Sequence, residues 1–324
     1  MTLPNPLDKP EYLLRPGQIA RRLRGPRLVP DAPDAARLAE AMLPWGLPIR
    51  FRPDETIGSS IWRTGLYDLC VSETIWRLLN AGERAVDVGA NIGHMTSIMA
   101  ARVGSEGTVD SYEPHPDVFA ELAANVACWA QQRPQRAPRT ATIHVHQAAL
   151  SNSAGMATLE TPEGFERNRG IATLAGVERG ALPPARSFRV STLRLADVVS
   201  EETPVGLLKI DVEGHELAVL AGAEPLFARQ QVRDVVFEEH EAPPTPVTRF
   251  FEARGYRVFR IVRGRFGPII RPVAAPQEPG EARGGSHDAL SYLATCAPER
   301  AVVRMAGKGW AVLGAGPRPP RWLP

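Results

Sequence analysis

The chain has 324 residues, of which 44% are hydrophobic, and its 38 basic and 36 acidic side chains leave a net charge of +2. That composition supports a full hydrophobic core and excludes a mainly disordered chain. The near-balanced charge argues against a protein-wide nucleic-acid surface. With no apolar run of about 18 residues, and with Arg and Pro breaking up the amino-terminal stretch, the sequence predicts neither a membrane span nor a leader peptide.

Residues 1–48 are rich in Pro and Arg, with five arginines and no acid between 15 and 27, and read as a solvated arm. A folded domain is predicted over 49–299 and a basic tail over 300–324. In chain order, AVDVGA (85–90) reads as a buried strand, followed by a helix over 93–103. A second strand is predicted at 107–113, a helix over PDVFAELAANVACWA (116–130), and a third strand at 142–150. Segments 155–160, 171–175 and 187–192 read as extra strands or hairpins over one edge. GLLKIDVE (206–213) is the fourth main strand, with a helix from His215, and 234–240 is the fifth. A helix at 245–254 and the strands YRVFRIV and ALSYLATCA would complete the sheet. The three cysteines, Cys70, Cys128 and Cys296, are odd in number and far apart, which fits a reducing cytoplasm better than disulfides.

This alternation predicts an α/β fold, a mostly parallel sheet with helices on both faces, and ligands outside the carboxyl ends of the strands. Polar residues cluster there. In DVGANIGHMT, Gly89 and Gly93 let the backbone approach a ligand closely, and the following helix start offers free N–H groups to a carboxylate. Asp87 is placed to receive an ammonium group, directly or through water, and Asn91 to bridge backbone and ligand. Glu113, at the end of the second strand, suits two ribose hydroxyls. The second glycine of the dinucleotide pattern G-x-G-x-x-G is replaced by Asn91, which disfavours a dehydrogenase and favours a nucleoside cofactor without a diphosphate, such as S-adenosylmethionine.

Three segments, AVDVGANIGHMT, YEPHPDVFAELAANV and LLKIDVEGHELAVLAGA, together resemble the FkbM family of methyltransferases, the third most specifically. The resemblance spans about residues 65–294 and leaves out the arm and tail. It implies a class I methyltransferase fold, Rossmann-like, with a seven-stranded sheet and an antiparallel last strand. It also implies S-adenosyl-L-methionine as donor and O-methylation of a small metabolite, polyketide or sugar. Carried over by position, Asp87, Gly89, Ala90, Asn91 and Gly93 would hold the methionine end, Glu113 the ribose, and Ala148 and Ala149 the adenine side. Asn125 would be a structural helix contact.

In KIDVE, strand alternation puts Lys209, Asp211 and Glu213 on one face. Charges in a buried strand are costly without partners, and the cleft edge supplies a reason for them. A hydroxyl acceptor must lose a proton, so the candidates for the chemistry are Lys209, Asp211, Glu213, Glu238 and His240. The alternatives are a structural network of Lys209, Asp211 and Glu216, and a divalent cation held by Asp211, Glu238, Glu239 and His240. No dedicated metal site is expected. His144 and His146 read as ordinary strand residues, His94 as a helix-start residue and His215 as exposed. Trp62 and Trp76 read as packing, with Tyr67 between packing and substrate contact. A nitrogen or carbon acceptor, or a non-catalytic S-adenosylmethionine-binding module, are the other functional classes.

Overall fold

In the computed structural model, which describes residues 27–29, 38–131, 140–177, 184–199, 202–264, 266–275 and 290–314, the chain enters through three short strands. These are β1 (Arg27–Leu28), β2 (Ala39–Met42) and β3 (Pro48–Phe51), paired antiparallel. Helices α1 (Thr56–Thr64) and α2 (Leu69–Leu78) follow. The first half of the main sheet is β4 (Arg84–Val88), α3 (His94–Val103), β5 (Thr108–Tyr112), α4 (Pro116–Gln131) and β6 (Thr142–His146). Next, β7 (Ala149–Leu150), β8 (Gly155–Pro162), β9 (Thr173–Leu174) and β10 (Pro184–Leu193) build a second sheet in the order β7-β10-β8-β9. The chain returns through α5 (Leu195–Val198), β11 (Val205–Ile210), α6 (Glu216–Gly222), α7 (Glu224–Ala228) and β12 (Val232–Glu239). It ends with α8 (Pro246–Glu252), β13 (Arg257–Gly264), β14 (Gly267–Pro272), β15 (Leu290–Thr295), α9 (Pro298–Met305) and a short 3₁₀ turn at Ala311–Gly314.

The main sheet has the order β14-β13-β15-β12-β11-β4-β5-β6. Pairing is parallel from β12 through β11, β4 and β5 to β6. It is antiparallel on both sides of β15, the last strand, and between β13 and β14. The expected mostly parallel α/β sheet is therefore present, with one correction. The sheet has eight strands, because the chain after β13 folds back as a hairpin and adds β14 at the edge. Central parallel strands are covered on both faces and read as continuous apolar runs; every residue of β11 (VGLLKI) is buried, Lys209 included. Among the described residues no helix is long and apolar enough to cross a membrane.

Both ends of the folded body lie further out than the sequence suggests. Leu43, Trp45 and Leu47 are buried in the main core, the Trp45 indole donates to Ser97 Oγ at 3.0 Å, and the Trp129 indole donates to the Pro48 carbonyl. Residues 38–48 therefore belong to the core; the rest of the arm, 1–26 and 30–37, lies outside the described residues. At the other end, Trp310, Val312 and Leu313 are buried in the main core beside α2, so the folded body runs on to 314. Arg77, from α2, donates to the carbonyls of Met305 (2.8 Å) and Gly309 (2.6 Å), and Glu73 accepts from the N–H groups of Ala311 and Val312. The predicted third strand also divides: β6 stays in the main sheet, while β7 pairs with β10 in the second.

Candidate active site

The turn after β4 is built by three left-handed residues, Gly89 (φ 74°), Asn91 (φ 50°) and Gly93 (φ 92°). A Cβ on Gly89 would lie 1.9 Å from the Asp211 carbonyl oxygen, and one on Gly93 would lie 2.7 Å from Leu122 Cδ1. Gly89→Ala is accordingly expected to destabilise the protein by more than the roughly 1–3 kcal/mol that a strained backbone residue alone carries. A denaturation midpoint equal to that of the parent would show that the turn can move off β11. Asn91 tolerates its conformation because its side-chain oxygen accepts from the next N–H, that of Ile92, at 2.8 Å.

Glu113, at the end of β5, accepts from the Asn91 N–H (3.0 Å) with one oxygen and from the His115 N–H (2.9 Å) with the other. Each oxygen keeps room for a further donor, which suits a pair of hydroxyls. Burial, only partly offset by those N–H groups, pushes its pKa up to about 7. Asn125 donates to the Ile92 and Arg50 carbonyls (2.9 and 3.0 Å) and accepts from the Arg50 N–H. It has the structural role expected, joining the cofactor turn to β3.

The turn opens on a cleft of 1630 Å³. Gly89, Ala90, Asn91, Glu113, Ala148 and Ala149 line it, and so do all five candidates for the chemistry: Lys209, Asp211, Glu213, Glu238 and His240. Gly93 sits one step behind, starting α3, whose first residues His94 and Met95 reach the wall with unpaired N–H groups.

Asp87 stands apart from the other residues expected at the methionine end. It is fully buried and does not line the cleft. Its Oδ2 accepts from Thr96 Oγ1 at 2.7 Å, and its Oδ1 lies 3.6 Å from Lys209 Nζ. Lys209 Nζ also lies 3.1 Å from Asp211 Oδ2 and donates to the Gly89 carbonyl at 3.1 Å. Burial works against the charge on Lys209, but Asp211, Asp87 and Glu238 outweigh it and hold the ammonium above its ordinary range. Glu238, from β12, shows the opposite balance. Burial, then the charges of Asp211 and Asp68, raise its carboxyl well above the usual range, with Lys209 only partly opposing.

Glu213 (φ 58°) and Gly214 (φ 94°) form the turn out of β11. Glu213 Oε2 lies 3.6 Å from His240 Nε2, and the Glu213 carbonyl accepts from Thr173 Oγ1, tying the second sheet to the cleft. Glu216 is not part of the ion-pair network expected of it, because its carboxylate accepts the Val212 and Gly214 N–H groups instead. Glu239 accepts from Thr245 Oγ1 at the start of α8. Of the four residues considered for a cation, Asp211, Glu239 and His240 are turned to different partners, and among the described residues no three His, Cys, Asp or Glu side chains converge as metal ligands.

His215, expected to be exposed, is half-buried with Nε2 2.9 Å from Ser151 Oγ. His94 is buried and its Nε2 accepts the Tyr67 N–H at 3.1 Å, fastening the turn before α2 to the start of α3. Burial pushes its pKa down to about 3, so the ring is neutral. His146 stacks on Tyr112 with centroids 4.6 Å apart, and neither it nor His144 lines the cleft. Trp62 and Trp76 pack on the core, as read from sequence. Two wall elements escape that reading, Asp68 beside Tyr67 and Ser60 and Arg63 of α1, whereas the 168–177 segment of the second sheet falls in the stretch read as extra strands over one edge. The motif TGLYD (64–68) carries a signal for Asp68 but not for Ser60 or Arg63.

The chain matches the family model described as Methyltransferase FkbM domain over residues 87–258. It is 35% identical over 188 residues to the 31-O-demethyl-FK506 methyltransferase FkbM of Streptomyces tacrolimicus, covering 50% of this chain and 67% of that one. It is 32% identical over 197 residues to the hexuronic acid methyltransferase AglP of Haloferax volcanii, covering 58% of this chain and 70% of that one. Of solved structures, an S-adenosylmethionine-dependent O-methyltransferase of Thermotoga maritima is matched at 16% identity and a TM-score of 0.37, covering 76% of this chain and 73% of that one. That likeness is too low to carry an argument.

Proposed function

The chain belongs to the FkbM methyltransferase family and is an S-adenosylmethionine-dependent methyltransferase, and from that premise we propose that it methylates a hydroxyl oxygen of a small acceptor, a sugar or polyketide. The relatives named for 31-O-demethyl-FK506 and for hexuronic acid support an acceptor of that kind. The observation that carries the reading is Asp211, a carboxylate 28% exposed at the mouth of β11 and held at 3.1 Å by an ammonium that is itself buried.

The residues present fit the donor. The Gly89–Asn91 turn and the first N–H groups of α3 suit its amino-acid end, Glu113 has a lone pair free on each oxygen for the ribose, and the small side chains of Ala148 and Ala149 on the cleft wall suit the base. S-adenosylmethionine, when bound, supplies an electrophilic methyl group on a sulfonium and departs as a neutral thioether. Lys209 fixes Asp211 through Oδ2, leaving Oδ1 to accept a hydrogen bond from the acceptor hydroxyl. Asp211 takes that proton as the acceptor oxygen closes on the methyl carbon, and the net charge of the cleft is unchanged by the step. Proton acceptors of this type contribute roughly 10²–10⁴-fold to rate. The 168–177 segment of the second sheet, together with α1, bounds the acceptor side.

The test uses a panel of sugars, uronic acids and hydroxylated polyketides offered with methyl-labelled donor. Label is expected to appear in an ether. Asp211→Asn is expected to lower turnover on the best acceptor about 10²-fold or more with donor binding retained. Label on nitrogen, or an Asp211→Asn enzyme as fast as the parent, would sink the assignment.

A further inference from the structure

The floor of the cleft collects acidic groups from four elements around one cation. Lys209 and Asp211 come from β11, Glu238 from β12, Tyr67 and Asp68 from the turn before α2, and Glu216 from α6. Most of these groups already have partners. Lys209 is shared between Asp87 and Asp211. Glu216 and Asp68 accept backbone N–H groups, and Glu239, next to Glu238, is turned to Thr245. His240, one residue further on, faces Glu213. Glu238 is the exception. It lines the cleft, and among the described residues no donor reaches its carboxyl. Its ionisation is opposed by burial first and then by the charges of Asp211 and Asp68. A carboxyl so placed holds its proton more tightly than an ordinary one, and a positive charge added to that of Lys209 would loosen it.

Resting on the methyltransferase reading above, we propose that Glu238 is the residue by which the cleft distinguishes the cationic donor from the neutral product: protonated in the free protein, ionised opposite the donor, and protonated again after transfer. The donor and the product share nucleoside and amino-acid ends and differ by one positive charge, so a group that answers only to charge separates them. Glu113, whose pKa is about 7, meets the ribose that both ligands carry and cancels in the comparison. Of the charged groups facing Glu238, Lys209 is fixed as a cation by its two carboxylates. Asp211 lies 3.1 Å from the Lys209 ammonium, and Tyr67 is held neutral by burial.

The sign of the pH dependence follows. Donor binding requires Glu238 to give up a proton, so the ratio of donor to product affinity rises with pH up to the raised pKa. The test is calorimetric titration of the full chain with S-adenosylmethionine, S-adenosylhomocysteine and sinefungin, whose amine is a cation in place of the sulfonium. Each titration is run in phosphate and in Tris between pH 6 and 7.5. The donor and sinefungin are expected to release a proton to the buffer that the product does not release. Glu238→Gln is expected to abolish that difference and to cut the donor's advantage over the product about tenfold, the equivalent of one pK unit. Equal proton release for donor and product in the unaltered protein would overturn the proposal without any variant, and so would a difference that survives in Glu238→Gln. Failure of all three ligands to bind would instead bring down the methyltransferase reading and this inference with it.

Discussion

Replacing Lys209 with methionine is expected to destabilise the protein by about 3–5 kcal/mol, the usual result of leaving one member of a buried ion pair alone. The side chain of Lys209 is 8% exposed and that of Asp87 is not exposed at all. Methionine fills a similar volume, so the loss reports the charge and not a cavity. Without the ammonium, Asp87 keeps only the Thr96 hydroxyl as a partner and can remain folded more easily with a proton than without one. A carboxyl whose folded pKa is raised makes the folded state bind more protons than the unfolded state, so the variant's stability must fall as pH rises above the ordinary carboxylate range. Chemical denaturation at pH 5 and pH 8 reads both effects, and adding Asp87→Asn should recover much of the loss and flatten the pH dependence. A Lys209→Met protein as stable as the parent at pH 8 would show that Asp87 is not compensated in the way described.

Arg77→Met is expected to produce a loss of the same order, about 3–5 kcal/mol, at a place far from the chemistry. Arg77 Nε is 2.7 Å from Glu73 Oε1, with side-chain exposures of 7% and 0%. That pair also carries the carbonyls of Met305 and Gly309 and the N–H groups of Ala311 and Val312. Removing the guanidinium strands Glu73 in the core and frees the two carbonyls, each a further unmet acceptor. The stretch after α9 should become a substrate for limited proteolysis while α2 and the strands of the main sheet stay resistant. Loss of donor affinity should follow, because α2 is capped by Asp68, on the cleft floor. Unchanged proteolysis near residue 306 would show that apolar packing of Trp310 and Leu313 holds the segment without the pair.

Much of the frame is legible because it obeys local rules. The apolar runs ending at Val88 and Ile210, the glycine turn and Glu113 one strand later are readable from spacing, and each is found at a carboxyl strand end. What escapes the sequence depends on neighbours remote in the chain. Read alone, β4 turns Asp87 toward the ligand, because it says nothing of β11, whose Lys209 is its register partner. Trp45 lies between prolines and glycines that suggest a loop, and only Ser97 and the core beneath α3 explain its burial. Glu73 and Arg77 have the spacing of a surface helix pair, which usually contributes little. The carboxy-terminal segment that covers them turns the pair into a core element. The break between β6 and β7 is hidden for a similar reason, since it is the pairing of Ala149 and Leu150 with β10 that draws the chain out of the main sheet.

The hydrogen bond between Lys209 and Gly89 joins residues 120 apart in the chain, and the bond between Arg77 and Gly309 joins residues 232 apart. Loop-closure entropy must be met before such contacts return anything, and chains dominated by remote pairings fold slowly. The middle of the main sheet, where β4 meets β11, is closed only by a strand that arrives after the whole second sheet. Prior folding of β7–β10 shortens the effective loop to be closed. Changes that weaken that small sheet should therefore slow refolding of the donor-binding turn, even where equilibrium stability is little altered.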